Sequence, residues 1–484
     1  MVKSRRAGLL AAVCSIGLMA GLATPASAEG LADAIALAYE TNPTLQGQRA
    51  SQRALDESIV QARAGYRPTV SLSASASAAD GDGVGDAGRG SGAGVTVSQP
   101  LYTGGRVASQ ITAAQADILQ GREGLRSVEA GVIQQVITAY VDVRRDQERL
   151  RITQENVAVL QRQLDEARAR FEVGEITRTD VAQAEARLAA ARASLASAQA
   201  QLAISRAGYA AVVGQNPGDL EPEPALTAFL PASVDDAFTA AESGNPQILG
   251  AEYAERASRA RVAAARSARR PTVTASGSVG WDASTAPTGV TPPTGAGGAF
   301  SDYERSASGR ISLSVPVFTG GLVNSQVRAA EERNAADRQA IEEARRDVLR
   351  TVSQAWNSLI GARANLAANE EQVRAARIAF EGVRQEAQVG LRTTLDVLNA
   401  EQELRNAELS LVNARRDEYV ASAVLMSAMG KLEARYLTPG VAQYDPTRKA
   451  AGSALGWVPW EPVIGAVDKA GAPPEGPRPA PADR

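Results

Sequence analysis

The chain contains no histidine, and its one cysteine, Cys14, lies in the N-terminal segment. These absences exclude His-based acid/base catalysis, thiol nucleophiles and Cys/His zinc sites. No G-x-x-x-x-G-K-[ST] sequence occurs, so the chain has no P-loop with which to hydrolyse a nucleotide. With 51 basic and 54 acidic residues, the net charge of −3 leaves no basic surplus for binding nucleic acid. The sequence predicts a protein that is not an enzyme and needs no cofactor.

Aromatic residues are also scarce, at 4% of the chain, whereas hydrophobic residues, many of them Ala, make up 44%. A bulky conventional core is difficult to build from this composition. Closely packed Ala-rich helices are expected instead.

Residues 1–28 have the features of a signal peptide. Three basic residues are followed by the apolar stretch Leu9–Ala23 and by Ala26-Ser27-Ala28, which suits the peptidase. The stretch is shorter than the roughly 20 residues that a membrane-spanning helix needs. A lipoprotein signal at Cys14 is the alternative, but Val13 stands where a small residue is required. The mature chain is expected to begin at Glu29 and to work outside the cytoplasm.

An internal repeat organises the rest of the chain. The offset between matching segments is 203 residues early in the repeat and 216 later, so a 13-residue insertion is expected in the Gly/Thr/Pro-rich stretch Asp282–Gly298. The matching pairs are Leu31–Ala50 with Val234–Ala254, Val97–Gln110 with Leu313–Gln326, and Phe171–Val181 with Ala387–Val397. The predicted organisation is a signal peptide (1–28), a first repeat (29–216), a linker or equatorial segment (217–233), a second repeat (234–436), an equatorial segment (437–465) and a disordered tail (466–484).

Each repeat contains two segments that alternate apolar residues with Ser or Thr, which predicts strands over 69–77, 94–101, 272–281 and 308–317. Strands of this length cross a bilayer when they are tilted. Aromatic residues flank them and are expected at the membrane interface: Tyr66, Tyr102, Trp281, Phe300, Tyr303 and Phe318. Two soluble hairpins are the alternative, although no segment is evident that would cover their apolar faces.

Very long helices follow the second strand of each repeat. Thr-Gly-Gly turns open them at Gly104-Gly105 and Gly320-Gly321, and no Pro interrupts the sequence before Pro217 or Pro439. Apolar residues at heptad spacing predict antiparallel coiled coils. The predicted helices span about 106–173, 178–213, 322–389 and 394–430.

The signal peptide, the repeat, the paired strands, the long helices and the VG-x-x-x-x-x-D tips together resemble the TolC-type outer-membrane efflux and secretion ducts of Gram-negative bacteria. The resemblance covers about Leu31 to Gly430. It implies a mostly α-helical homotrimer in which four strands from each chain form a 12-stranded β-barrel, continued by a periplasmic α-helical barrel. The implied partners are a periplasmic adaptor protein, an inner-membrane ABC or RND transporter, and outer-membrane lipid.

The same resemblance implies a periplasmic gate at the helix tips. Arg392 would bond to Thr179 or Asp180 of a neighbouring coil, and three copies of Asp396 would form an acidic ring able to bind cations. An ordinary helix N-cap is the alternative role for Asp180 and Asp396. Asn399 stands where the family has a second acidic ring, and Ala387 stands in place of an aromatic latch, so a weaker gate is expected.

Three functions remain open from the sequence: a passive exit duct, a structural coiled-coil spacer or adhesin anchored in the outer membrane, and a hydrolase that uses Ser and Asp. The duplication of strand pair and coil favours the duct. The cargo, protein or small molecule, stays open. Segments 217–233 and 437–465 are expected to wrap the helical barrel as an equatorial belt, with Trp457 and Trp460 docking the tail on it.

Overall fold

The computed structural model describes residues 29–79, 88–284, 303–445 and 458–474. The predicted signal peptide, Phe300, Trp457 and most of the predicted insertion lie outside these residues. Among the described helices, none is both long enough and apolar enough to cross a membrane.

The two repeats have the same order of elements. The first contains α1 (Leu31–Thr41), α2 (Pro43–Asp56), α3 (Ser58–Arg63), β1 (Thr69–Ala79), β2 (Gly88–Tyr102), α4 (Arg106–Glu172) and α5 (Arg178–Val213). The second contains α6 (Val234–Gly244), α7 (Pro246–Ser267), β3 (Thr272–Ser284), β4 (Glu304–Ser314), α8 (Leu322–Gln388) and α9 (Thr394–Ala428). The short α10 (Ala434–Leu437) and the C-terminal α11 (Glu461–Ala470) follow, and 3₁₀ turns form at Ala64–Tyr66 and Thr227–Phe229.

The strands differ in extent from the sequence prediction. Strand β4 starts at Glu304 and ends at Ser314, whereas the prediction was 308–317. It ends there because Pro316 has no N–H to donate and restricts the residue before it. Strand β2 begins earlier than predicted, at Gly88, and continues through Pro100, where the register against β3 shifts.

The repeated Asn-Pro pair fastens the start of each repeat to its returning helix. The Asn42 side chain accepts hydrogen bonds from the backbone at the start of α2, and its amide donates to the carbonyl of Val212 at 2.9 Å. Asn245 caps α7 in the same way and donates to the carbonyl of Ala428 at 2.7 Å. Pro suits the first helical position that follows such a cap. One short motif therefore ends a helix, starts the next and joins both to the coil.

The four strands form one antiparallel sheet in the order β1-β2-β3-β4. Cross-strand partners share a face, so the register separates two surfaces. One is apolar, with Val70, Leu72, Val95, Val97, Val279, Ile311 and Leu313. The other is lined by Ser71, Ser73, Thr96, Ser276, Ser278, Ser308 and Ser312. Strands β1 and β4 are the two edges of this sheet.

The largest apolar cluster lies where the middle of the long helices meets α1 and α6. Tyr140 is fully buried in it, and its hydroxyl donates to the carbonyls of Glu29 and Glu221 at 2.9 and 2.7 Å. Tyr419 of α9 donates to the carbonyl of Pro224 at 3.0 Å. The segment between the repeats is therefore tied to both coils. The burial of Tyr140 also raises the pKa of its hydroxyl to about 12.

The C-terminal segment departs from the prediction of an equatorial segment to 465 and a disordered tail from 466, because residues 461–470 form α11. Ile464 packs with Tyr66 and Val107 at the junction of sheet and helices. Tyr66 was expected at the membrane interface, but it is 4% exposed. Trp460, expected to dock on the belt, donates its indole N–H to Oε1 of Gln99 in β2 at 3.2 Å. A Pro-rich composition suggested disorder, but these tertiary contacts order the helix.

Asp468 of α11 is fully buried and caps the first long helix. Its Oδ1 accepts hydrogen bonds from the backbone N–H groups of Thr103 and Gly105 at 2.8 and 3.0 Å, and its Oδ2 accepts one from Ala108 at 3.4 Å. The hydroxyls of Thr103 and Tyr66 donate to it at 3.0 Å. A carboxylate is favourable there, because a helix N-terminus carries unpaired N–H groups and the positive end of the dipole.

Candidate functional site at the coiled-coil tips

Each long helix ends in a Val-Gly pair with the same geometry. Gly174 and Gly390 have φ of 81° and 82°, a left-handed conformation that side chains with a Cβ adopt at a cost. The N–H of Gly174 donates to the carbonyl of Phe171 at 3.0 Å, and the N–H of Glu175 donates to that of Arg170 at 2.9 Å. Such bonds satisfy the free carbonyls at a helix end and turn the chain back.

The returning helices begin with equivalent capping boxes. The side chain of Thr177 accepts from the N–H of Asp180, and the Asp180 carboxylate accepts from the N–H and hydroxyl of Thr177 at 2.9 and 2.8 Å. Thr393 and Asp396 repeat this at 3.0 and 2.8 Å. These hydrogen bonds hold the pKa of both carboxyls below their usual range. The N-cap is therefore the Thr in each tip, and the Asp is the third helical residue.

Arg392 is held by its own tip. Its Nε donates to Oε2 of Glu386 at 2.8 Å, and this bond raises the pKa of the guanidinium. Thr179 and Asp180, its expected partners, belong to the other tip, and within the described chain Asp180 bonds to Thr177 instead. The structure brings Asp396 and Arg392 onto one tip but does not join Arg392 to Thr179. The bond between neighbouring coils stays a prediction.

Above the tips the two coils of one chain contact each other directly. Asn399, the position without the expected carboxylate, accepts a hydrogen bond from Nη2 of Arg187 in α5 at 3.0 Å. Leu398 is buried in an apolar cluster with Leu160, Leu164 and Leu188 of the first coil. Sequence reasoning missed this contact, because it depends on which faces of the two coils meet.

A buried polar pair completes the contact between the coils. Nε2 of Gln163 in α4 donates to Oε2 of Glu401 in α9 at 2.6 Å, and Glu401 is 1% exposed. The other side-chain oxygens of both residues are buried without a hydrogen-bond partner among the described residues. Burial raises the pKa of Glu401, and the charges of Arg405 on its own helix and Arg162 on α4 oppose this shift only partly.

Replacing Glu401 by Gln should raise the melting temperature at neutral pH, and the difference should vanish in acid. The pKa of the folded state lies above that of the unfolded chain, so folding favours the protonated carboxyl. The stability lost by burying an ionised Glu401 is therefore largest above the pKa of the folded state, and it is regained as the pH falls through that pKa. A buried unsatisfied group costs roughly 1–3 kcal/mol.

Thermal unfolding from about pH 4, just below the ordinary pKa of Glu, to about pH 8 measures this difference. Glu403→Gln, an exposed change on the same helix, is the control and should leave the melting temperature unchanged. A Glu401→Gln protein with the parent's pH profile would contradict the expectation.

The predicted turns lie where the coils meet the sheet, and the predicted interface aromatics that the structure describes lie at both ends of the strands. Gly104 and Gly105 have φ of 68° and 85°, and Gly320 and Gly321 have φ of 59° and 83°. The second glycine of each pair is the residue from which the long helix starts. The aromatics vary in exposure: Trp281 is 42% exposed, Tyr303 45%, Phe318 89%, and Tyr102 is partly buried.

A paired, amphipathic four-strand sheet joined to long coiled coils that end in Val-Gly turns is typical of outer-membrane efflux proteins. The profile of the family described as outer membrane efflux protein matches residues 34–215 and 238–431. The chain belongs to this family, and the TolC-type resemblance seen in the sequence is confirmed. The protein is accordingly an outer-membrane efflux protein of a Gram-negative bacterium.

Individual relatives match over most of the chain. The outer membrane efflux protein BepC of Brucella suis biovar 1 (strain 1330) is 35% identical over 421 residues, which cover 87% of this chain and 90% of BepC. The outer membrane protein TolC of Vibrio cholerae serotype O1 is 27% identical, with 84% and 91% covered. The crystal structure of the Campylobacter jejuni CmeC outer membrane channel, 14% identical, superposes with a TM-score of 0.70 and covers 89% of this chain and 90% of CmeC. The fold is that of these channels.

Proposed function

We propose that three chains assemble into a passive exit duct across the outer membrane and the periplasm, serving efflux or type I secretion. Each chain contributes four strands to a 12-stranded barrel and four long helices to an α-helical tunnel.

The observation that carries the proposal is the two-faced sheet with open edges. Its apolar face includes Val70 and Leu72, which are 68% and 79% exposed, and its other face is lined by Ser and Thr. The first suits lipid and the second suits a hydrated lumen. Four strands are too few to close a barrel, and an unpaired edge in lipid leaves backbone groups unsatisfied. Pairing β4 of one chain with β1 of the next removes every edge.

The long helices supply the length that a tunnel across the periplasm needs. Helices α4 and α8 have 67 residues each, which corresponds to roughly 100 Å at a rise of about 1.5 Å per residue. Such rods exceed the size of a globular core and suit a tunnel that reaches across a compartment.

The tips are the proposed contact with the other components of the export system. Val173, Val389 and Leu391 are 73%, 72% and 76% exposed at the end of the coils. Exposed apolar groups at one end of a rod favour a protein partner. That partner is a periplasmic adaptor, through which an inner-membrane ABC or RND transporter supplies the energy. The chain performs no catalysis itself.

The tips also form the gate. Arg392 reaches Thr179 or Asp180 of a neighbouring coil in the closed trimer, and the Asp396 carboxylates converge near the axis. Arg392→Ser should therefore leave assembly intact and raise single-channel conductance, because the coils lose a link that holds them closed. Single-channel recording measures the change.

Glu386→Gln is the matched variant for this prediction. It removes the negative charge of the group that accepts from Arg392 Nε at 2.8 Å within the same tip, so it should weaken this bond, favour the link between coils and lower the conductance. Equal conductance in the two variants and the parent would exclude Arg392 from the gate.

Ion conductance of the purified full chain in a planar bilayer tests the duct itself. Stepwise conductance supports it. A spacer or adhesin anchored in the membrane would give none, and a closed monomeric barrel seen by electron microscopy would exclude the trimer.

A further inference from the structure

The C-terminal helix α11 packs one face on the protein, and the described chain leaves its opposite, apolar face uncovered. Glu461, Ile464, Gly465 and Asp468 face the protein. The opposite side exposes a row at helical spacing, which we call the outer stripe: Trp460, Val463, Ala466, Val467 and Ala470. In this row Trp460 is 47% exposed, Val463 65% and Val467 54%. A short helix without a polar outer face is unusual at a surface in water.

The inner face fixes the position of the helix. Asp468 is buried against the N-terminus of α4, and Arg67 forms an ion pair with Glu461 at 3.0 Å. Gly105 lies so close to Ala472 that a Cβ on this glycine would clash with the Cα of Ala472. The outer stripe is therefore presented in one fixed orientation.

The contacts of α11 with the sheet place it on one particular side. Trp460 bonds to Gln99, and the Tyr102 hydroxyl lies 3.5 Å from the carbonyl oxygen of Gly471. In the register Gln99 is opposite Ala275, and Ala275 is opposite Ile311, so Gln99 belongs to the apolar face. The helix therefore lies on the lipid-facing side of the sheet, at the strand ends nearest the coils.

We infer that α11 is an interfacial anchor whose outer stripe inserts into the periplasmic leaflet of the outer membrane. The inference rests on the proposed barrel, because that barrel makes the apolar face of the sheet the lipid-facing one. The stripe continues this apolar surface below the strands. A Trp at the edge of an apolar surface suits the lipid headgroup level, and the exposed Lys469 beside the stripe suits lipid phosphates. Phospholipid is thus the occupant, rather than a second copy of the chain.

Tryptophan fluorescence of the full chain in vesicles tests the anchor. The chain has four Trp residues, so replacing the other three by Phe leaves Trp460 as the only reporter. The vesicles contain phosphatidylethanolamine, phosphatidylglycerol and a phosphatidylcholine brominated near the top of its acyl chains. The brominated lipid should quench the fluorescence of Trp460 as strongly as it quenches that of Trp281 in a protein with Trp281 as its only Trp. The emission maximum of Trp460 should also shift to shorter wavelength.

Two single-Trp controls come from the chain itself. Trp281 pairs with Ala93 on the apolar face and reports the barrel, whereas Trp356 lies on α8 among the coils and should not be quenched. A Trp281 without quenching would overturn the proposed barrel and the anchor together. Quenching of Trp281 without quenching of Trp460 would overturn the anchor alone, and is the result expected if a neighbouring chain covers the stripe. Val463→Glu with Val467→Glu should reduce the quenching of Trp460 and leave that of Trp281 unchanged.

Discussion

Asp396→Asn should strongly weaken block of the channel by a trivalent cation such as hexamminecobalt(III). In the proposed trimer three Asp396 carboxylates converge on the axis, and their ionised form is favoured because hydrogen bonds from Thr393 lower the pKa. Three converging charges attract a trivalent ion strongly at short range, so the half-blocking concentration should rise at least roughly tenfold. Recording in planar bilayers at increasing blocker concentration measures it.

The substitution is chosen to keep the fold of the tip. An Asn side chain still accepts the hydrogen bonds from the N–H and hydroxyl of Thr393, whereas Ala would remove the capping box. Asp180→Asn is the matched control, since Asp180 has the same geometry in the first tip. Loss of block in both variants would show that the ring does not reside at Asp396, and unchanged block in Asp396→Asn would exclude the site.

Asn399→Asp should lower the half-blocking concentration of the trivalent cation only slightly. The new carboxylate would form an ion pair with Arg187, whose Nη2 already lies 3.0 Å from Asn399 Oδ1. Combining it with Arg187→Gln frees the charge, and the double variant should bind the trivalent ion more tightly than the single one.

Asp468→Leu should release α11 from the rest of the protein. The change removes the acceptor for buried donors of Thr103, Gly105 and Tyr66, and leaving such groups unpaired costs about 3 kcal/mol in total. Each 1.4 kcal/mol is roughly a tenfold change, so the population with α11 undocked should rise about a hundredfold. Endoproteinase Lys-C, which cuts after Lys469, measures this population as a cleavage rate.

Asp468→Asn should give an intermediate rate because it keeps one acceptor oxygen. Val467→Ala, a change at the neighbouring exposed position, should leave the rate at the parent value. Cleavage of Asp468→Leu at the parent rate would mean that the cap does not hold the helix.

Much of the fold was readable because it depends on local pattern. Alternation of apolar residues with Ser and Thr gave four strands, and heptads without Pro gave helices close to the observed Arg106–Glu172 and Leu322–Gln388. The tip turns were marked by Val-Gly, and the Thr-x-x-Asp pattern of Thr177 and Asp180 could have identified the capping boxes. The length, spacing and repetition of these patterns can all be read directly from the sequence.

The partners of individual side chains were not readable in the same way. Arg392 meets Glu386 six positions away, and Glu401 meets Gln163 of another helix. The first contact depends on the turn at Gly390, and the second depends on the rotation of long helices about each other, which a heptad pattern specifies only as a seam. The C-terminal helix shows the same limit, because the order of its ten residues depends on Asp468 finding a helix start 363 positions earlier.

The sequence by itself determined the duplication, the strands and the coils, and with them the family, since period and turn chemistry act over a few residues. The tertiary structure alone decided that α11 caps the first long helix, that Tyr66 is buried and that the two coils meet through Glu401. Those features depend on burying side chains and on pairing polar groups from elements that are far apart in the sequence. Such interactions stabilise the protein only after folding has brought the elements together.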